Sequence, residues 1–169
     1  MSNYTKVIIF IVILIIFSVS VIYFYNTENS INKVMPDISD SIVSGDSDYN
    51  EAVDLLNDKN YDESKNKAIS ASNNFNKSIS QLSGIKDNFT SNTNDVYKSY
   101  VNTLLEELKL KMNATGDLLE AIDYYKNYQN STGNSYASEA NEFMNDALEF
   151  QNVRNGLVKD NPDLFKWGF

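Results

Sequence analysis

An uninterrupted run of apolar side chains near the start, residues 7–24, constrains this chain more than any other feature. The run reads VIIFIVILIIFSVSVIYF and contains two serines but no charged side chain. A helix of about 18 residues extends roughly 27 Å, which is close to the thickness of the hydrocarbon layer of a bilayer. A soluble helix usually keeps a polar stripe, and this segment has none. We therefore predict that residues 7–24 form one transmembrane helix and have the lipid bilayer as their partner.

The charges that flank this run predict its orientation. Lys6 precedes it, whereas Glu28 is the first charged residue after it. Under the positive-inside rule, the N-terminus lies in the cytoplasm and the rest of the chain lies outside it. We predict a single-pass protein of the cell membrane with residues 1–25 as an uncleaved signal anchor. The alternative is a cleaved signal peptide, because Ser18 and Ser20 fit a small-x-small cleavage site.

The composition excludes several classes of function. The net charge is -9, from 14 Lys and Arg against 23 Asp and Glu, and such a surface repels nucleic acid. The chain has no Cys and no His. It therefore has no disulfides, no thiolate nucleophile and no histidine-based triad, and it lacks the usual zinc ligands. We predict that it is not an enzyme and that it has no catalytic residues, no metal site and no cofactor.

Beyond the apolar run, the spacing of apolar residues is helical throughout. No stretch alternates with the period of two that a strand needs. The predicted fold class is therefore all-α: an N-terminal single transmembrane helix followed by an antiparallel three- or four-helix bundle. We predict a juxtamembrane connector with a short helix at residues 26–45, an extracytoplasmic helical bundle at 46–160 and an aromatic tail at 161–169.

Three stripes of apolar and small residues at spacings of three and four, as in a coiled coil, define the bundle helices. A polar cluster at residues 57–60 predicts a turn or a helix irregularity before the first of these helices, and NSTGNS at 130–135 predicts a loop before the last. The first stripe comprises Tyr61, Ser64, Ala68, Ala71, Phe75, Ser78, Leu82 and Ile85. The second comprises Tyr97, Val101, Leu105, Leu108, Met112, Thr115, Leu119 and Ile122, widened by Leu104, Leu118 and Tyr125. The third comprises Tyr136, Ala140, Phe143, Ala147, Phe150 and Leu157.

Residues 49–79 resemble one repeat of the tetratricopeptide family. Ala52, Leu55 and Leu56 precede the turn NDKNYDES, and Ser64 and Ala71 follow as small residues seven apart. The resemblance covers about one repeat, whereas a stable solenoid needs at least three. It implies a helical hairpin and a protein-binding surface. The other interpretation is ordinary helix packing through small residues.

Acidic residues fall in two notable groups. The segment DSDYN at 46–50 imitates the opening of a calcium loop, but Glu51 stands where the loop needs Gly. We interpret its acids as capping groups at a helix N-terminus. The second group is Glu106, Glu107, Asp117, Glu120 and Asp123 on the long helix, and we interpret it as a solvated face rather than a pair of catalytic carboxylates.

Two further sets of residues are candidate sites. Asn76, Asn88, Asn113 and Asn130 begin Asn-x-Ser/Thr sequons and are candidates for N-glycosylation. The tail carries Phe165, Trp167 and Phe169. These aromatic residues are candidates for an interaction tail, because aromatic side chains make efficient hot spots. The alternative is that the tail folds back over the end of the bundle.

Two hypotheses of function follow. The favoured one is a non-enzymatic, membrane-anchored extracytoplasmic helical protein that mediates protein–protein or cell-envelope interaction. The other is a ligand-sensing or substrate-binding module that acts with a separate membrane partner. A pocket lined by Tyr97, Tyr100, Tyr124 or Tyr125 would favour the second hypothesis, and a filled core would argue against it.

Overall fold

Four long helices carry most of the chain. The computed structural model describes the backbone of residues 22–23 and 31–167 and the side chains of residues 34–165. The helices are α1 (Ile31–Asn57), α2 (Tyr61–Asp87), α3 (Asp95–Lys126) and α4 (Asn130–Asp160). The turns after α1 and α3 are short, and each contains one residue with positive φ, Lys59 at 62° and Tyr128 at 61°.

Each helix packs antiparallel to the next one along the chain. The contacts of α1 with α2 fix the direction: Ser64 Oγ donates to Ala52 O beside the turn, and Ser78 Oγ reaches Ile38 O far from it. Among the described residues, α1 has no Cα atom within 8 Å of α4. The fourth side of the bundle is therefore a groove between α1 and α4, with α3 as its floor.

α1 is one continuous helix, so the predicted boundary at residues 45 and 46 is wrong. Gly45 lies in the middle of α1 rather than at its end. A Cβ atom built on Gly45 would lie 2.6 Å from Cε1 of Phe75. The glycine therefore lets α1 and α2 approach closely, and it does not terminate the helix.

The predicted stripes are confirmed on α2 and wrong in part on α4. All of the predicted α2 residues from Ser64 to Ile85 are buried. On α4 the buried set is Gly133, Ala137, Ala140, Met144, Ala147, Arg154 and Val158. Of the predicted aromatic residues there, Phe150 is 37% exposed. The predicted loop at 130–135 is wrong as well, because α4 begins at Asn130 and Gly133 packs on the ring of Tyr125.

The predicted transmembrane helix is the part of the fold class that the structure contradicts. Within residues 31–167, no helix is both long enough and apolar enough to cross a membrane. Two residues near the end of the predicted span form β1 (Ile22–Tyr23), which pairs antiparallel with β2 (Lys166–Trp167). Residues 1–21 lie outside the described part of the chain. The predicted membrane location, which depends on them, stays a prediction.

The C-terminal segment after α4 returns to the end of the bundle. Phe165 is 1% exposed, and its ring lies 5.6 Å from that of Tyr97 and 5.3 Å from that of Tyr100. The Tyr97 hydroxyl donates to Leu164 O over 2.8 Å. This geometry fits the alternative in which the tail folds back. The side chains of Trp167 and Phe169 lie outside the described residues, and their role in recognition stays a prediction.

Candidate functional site

A network of four charged side chains is buried between α1, α3 and α4. Lys111 Nζ donates to both carboxylate oxygens of Asp46, over 2.8 and 2.9 Å. It also forms an ion pair with Glu107 Oε1 over 3.2 Å. Arg154 Nε donates to Glu107 Oε2 over 3.0 Å, and Arg154 Nη1 donates to the Tyr100 hydroxyl over 3.2 Å. Two cations thus balance two anions, which burial at this depth requires.

Burial and the neighbouring charges shift the pKa values in this network. Burial raises the pKa of Asp46, and Lys111 offsets only part of that increase. Burial alone would lower the pKa of Lys111, but the carboxylates of Asp46 and Glu107 outweigh it and raise the pKa. Burial raises the pKa of the Tyr100 hydroxyl. The cations therefore stay charged at neutral pH, and Tyr100 stays protonated.

The charged network lines a cleft between α1, α3 and α4, and this cleft is too small for an organic ligand. It is lined by Met35, Ile38 and Ile42 of α1 together with the charged residues, and its volume is about 30 Å³. A water molecule needs roughly 10–15 Å³ of such volume, whereas binding pockets for small molecules measure about 300–1,000 Å³. The cleft therefore has room for a few water molecules at most.

The structure corrects our interpretation of two acidic residues. Asp46 is 4% exposed and lies within α1. It pairs with Lys111, so it does not cap a helix. Glu107 is fully buried and pairs with Arg154, so it is not part of a solvated face. The spacing of four residues between Glu107 and Lys111 is a signal in the sequence that could have indicated this ion pair along one helix. Nothing local in the sequence pointed to Arg154, which is 47 residues away along the chain.

The four candidate tyrosines do not converge on a pocket. Of these, Tyr100 lines the cleft, and Tyr97 contacts the C-terminal segment. Tyr124 stacks on Tyr136 with ring centroids 5.4 Å apart. The Tyr125 hydroxyl donates to Asn134. This arrangement does not favour the ligand-sensing hypothesis.

A second feature is an exposed apolar surface along the outer side of α3 and α4, which we call the α3–α4 face. Phe150 is 37% and Val153 is 58% exposed, and they lie within one turn of α4. The pairs Tyr124–Tyr136 and Glu107–Arg154 fix the antiparallel register of the two helices. That register places half-buried side chains around the exposed pair. The apolar side chains of the face are Leu110, Tyr124, Tyr136, Phe143, Phe150, Val153 and Leu157.

The α3–α4 face is also strongly acidic. Five exposed acids lie on α4: Glu139, Glu142, Asp146, Glu149 and Asp160. None of them forms an ion pair within the part of the chain that the structure describes. Lys159 is the one exposed base of α4, since Arg154 is buried. The face therefore combines exposed apolar area with unneutralised negative charge.

The carboxylate of Asp117 on α3 lies near other carboxylates of this face. Burial raises its pKa, and the nearby carboxylates of Glu139 and Glu120 raise it further. One of its oxygens, Oδ2, is buried and accepts no hydrogen bond from the described residues. A carboxylate oxygen without a donor favours the approach of a cation.

The four sequon asparagines are all exposed. Asn130 is the first residue of α4 and not part of a loop. Asn113 lies within α3, and the hydroxyl of Thr115 in the same sequon is buried and donates to Lys111 O. Whether any of these sites carries a glycan stays a prediction.

Residues 31–167 contain no group of three or more acids that could hold a metal ion.

No protein-family model, curated protein or solved structure matches this chain. α1 and α2 form a helical hairpin around the turn at residues 58–60. The relation of this hairpin to tetratricopeptide repeats stays a prediction.

Proposed function

We propose that this protein is a non-enzymatic interaction protein that binds another protein through the α3–α4 face. The observation that carries the proposal is the exposure of Phe150 and Val153 on one turn of α4. Large apolar side chains that are grouped and exposed commonly mark a binding surface. Aromatic residues at the centre of such a surface supply much of the binding energy.

The composition of α4 supports the proposal. Its inner face carries Ala137, Ala140 and Ala147, whereas Phe143 is only partly buried against the core and Phe150 is 37% exposed. Packing of the bundle alone would favour the reverse arrangement, because burial of an aromatic ring contributes more than burial of an alanine. The exposure of the Phe150 ring therefore fits a role outside the bundle.

Site-specific photocrosslinking in the cells that make this protein tests the proposal. A photoreactive phenylalanine analogue replaces Val153 on the face or Ile69, which is 43% exposed on α2. We expect position 153 to capture a protein that mass spectrometry identifies and that position 69 does not capture. The Phe150→Asp change should remove that product while the bundle stays folded.

Three results would contradict the proposal. They are an identical set of products from both positions, no product from position 153 in a folded protein, and products that persist with Phe150→Asp. Capture of nothing but a second copy of this chain from position 153 would replace the external partner with self-assembly, and the proposal would be wrong as stated.

A further inference from the structure

We infer that the partner of the α3–α4 face is a basic amphipathic helix, with one apolar side and flanking Lys and Arg side chains. This inference rests on the proposed function and adds the chemistry of the partner to it. It follows from three properties of the face: its charge, its length and its shape.

The charge of the face selects a basic partner. Three acids of α4 (Glu142, Asp146 and Glu149) lie in the turns just before Phe150 and Val153, and Asp160 follows the pair. None of the three has a cation within the described residues. Lys or Arg side chains at the rim of an interface would neutralise them and steer the partner to the face.

The length and shape of the apolar surface select a helix. The apolar residues run from Tyr136 to Leu157 along α4, which is roughly 32 Å at the rise of an α-helix. They lie in the shallow seam between two antiparallel helices. A helix packs into such a seam through residues at spacings of three, four and seven. A partner helix of about 21 residues matches the length of the seam.

The same observations argue against two other occupants. A second copy of this chain would bring a net charge of -9 to an acidic face, and like charges across an interface repel. A membrane with anionic headgroups is repelled for the same reason. A basic helix carries the opposite charge, so the acidic face attracts it.

Fluorescence anisotropy with a labelled model peptide tests the inference on the full-length protein. The probe is a helix of Leu and Lys of about 21 residues, with Leu at heptad positions a, d and e. The two control peptides are a Leu and Glu helix of the same pattern and a scrambled Leu and Lys sequence. We expect the amphipathic Leu and Lys peptide to bind at least about tenfold more tightly than either control.

Two pairs of variants locate the binding. On the face, Phe150→Ser with Val153→Ser removes apolar area, and Glu142→Gln with Asp146→Asn and Glu149→Gln removes charge. The matched controls are Ile69→Ser on α2 and Asp37→Asn with Asp40→Asn and Asp54→Asn on α1, all at exposed positions. Each face variant should weaken binding about tenfold, and each control should change it less than about twofold. Thermal unfolding checks that every variant is folded.

The inference is wrong if the Leu and Glu peptide binds as tightly as the Leu and Lys peptide, or if the α1 charge control weakens binding as much as the face variant does. Failure here is separate from failure of the proposed function. If photocrosslinking from position 153 identifies a partner but the basic peptide does not bind, the chemistry assigned to the partner falls and the function stands. If the peptide binds the face but position 153 captures nothing in cells, the proposed function falls, and this inference falls with it.

Discussion

Gly45 of α1 lies against the ring of Phe75 of α2, and a methyl group at position 45 would come within 2.6 Å of Cε1 of that ring. Phe75 is fully buried, and neither helix can move away without separating the hairpin. Ser64 and Ser78 hold the same two helices through hydrogen bonds to α1 carbonyls. The α1–α2 hairpin is therefore set by small residues that allow close approach.

The Gly45→Ala variant should be less stable for this reason. Overpacking a filled core costs about 1–3 kcal/mol, which exceeds the gain in helix propensity. The measurement is chemical unfolding monitored by circular dichroism. The control is Gly116→Ala on α3, where a new Cβ meets no atom within 4 Å, and it should gain about 0.5–1 kcal/mol. Equal effects of the two changes would show that helix propensity, and not the Phe75 contact, determines the result.

The buried ion pair of Asp46 and Lys111 should show strong coupling. Asp46→Leu or Lys111→Met alone leaves the buried network with one unbalanced charge and should cost about 3–5 kcal/mol. The double variant leaves Glu107 and Arg154 as a balanced pair, so its cost should fall well below the sum of the single costs. A double-mutant cycle from urea unfolding measures this coupling. Additive costs would mean that the two charges do not depend on each other.

Stability should fall as the pH rises above about 10. Burial raises the pKa of Tyr49 and of Tyr100 in the folded protein. Above about pH 10 the unfolded chain therefore loses tyrosine protons that the folded protein keeps, which favours unfolding. The raised pKa of Lys111 acts in the same direction, because its contribution is complete below its unfolded value of 10.5 and is lost as the pH rises through the folded value.

Urea unfolding from about pH 8 to about pH 11 measures this slope. Tyr49→Phe should make the slope shallower by up to about 1.4 kcal/mol per pH unit, which is the contribution of one proton. Tyr128→Phe, at a ring that is 90% exposed, is the matched control. If the two variants had the same slope, burial of Tyr49 would not be a source of the alkaline instability.

The C-terminal segment should contribute to stability through Phe165. Its ring is 1% exposed and packs on Tyr97 and Tyr100, so Phe165→Ala should cost about 3–5 kcal/mol. Phe150→Ala removes the same side chain from an exposed position and should cost less than about 1 kcal/mol. Differential scanning calorimetry compares the two variants. Similar melting temperatures would mean that the segment does not cap the bundle.

The sequence predicted the buried side of α2 because every residue of that stripe is apolar or small, and its spacings of three and four continue from Ser64 to Ile85. It failed on α4 because a charged residue, Arg154, occupies a buried position there, whereas the aromatic Phe150 is exposed. The buried position of Arg154 depends on its ion pair with Glu107. Tertiary packing sets the pairing of two residues that lie so far apart along the chain. The α3–α4 face was missed for the same reason, since its aromatic residues were counted as core.

Gly45 and Asp46 show a related limit. A glycine followed by an acid is typical of a helix end and a new cap, and here both residues lie inside one helix. Phe75 explains the glycine and Lys111 explains the acid. Both partners come from other helices, so local signals could not distinguish a boundary from a site of close packing.

The most direct test of the α3–α4 face is a map of amide chemical shifts in the ¹⁵N-labelled protein as the Leu and Lys peptide is added. We expect the shifts to concentrate on residues 110–124 of α3 and 136–157 of α4. Shifts concentrated along the groove between α1 and α4, or spread evenly over all four helices, would contradict the assignment of the binding surface.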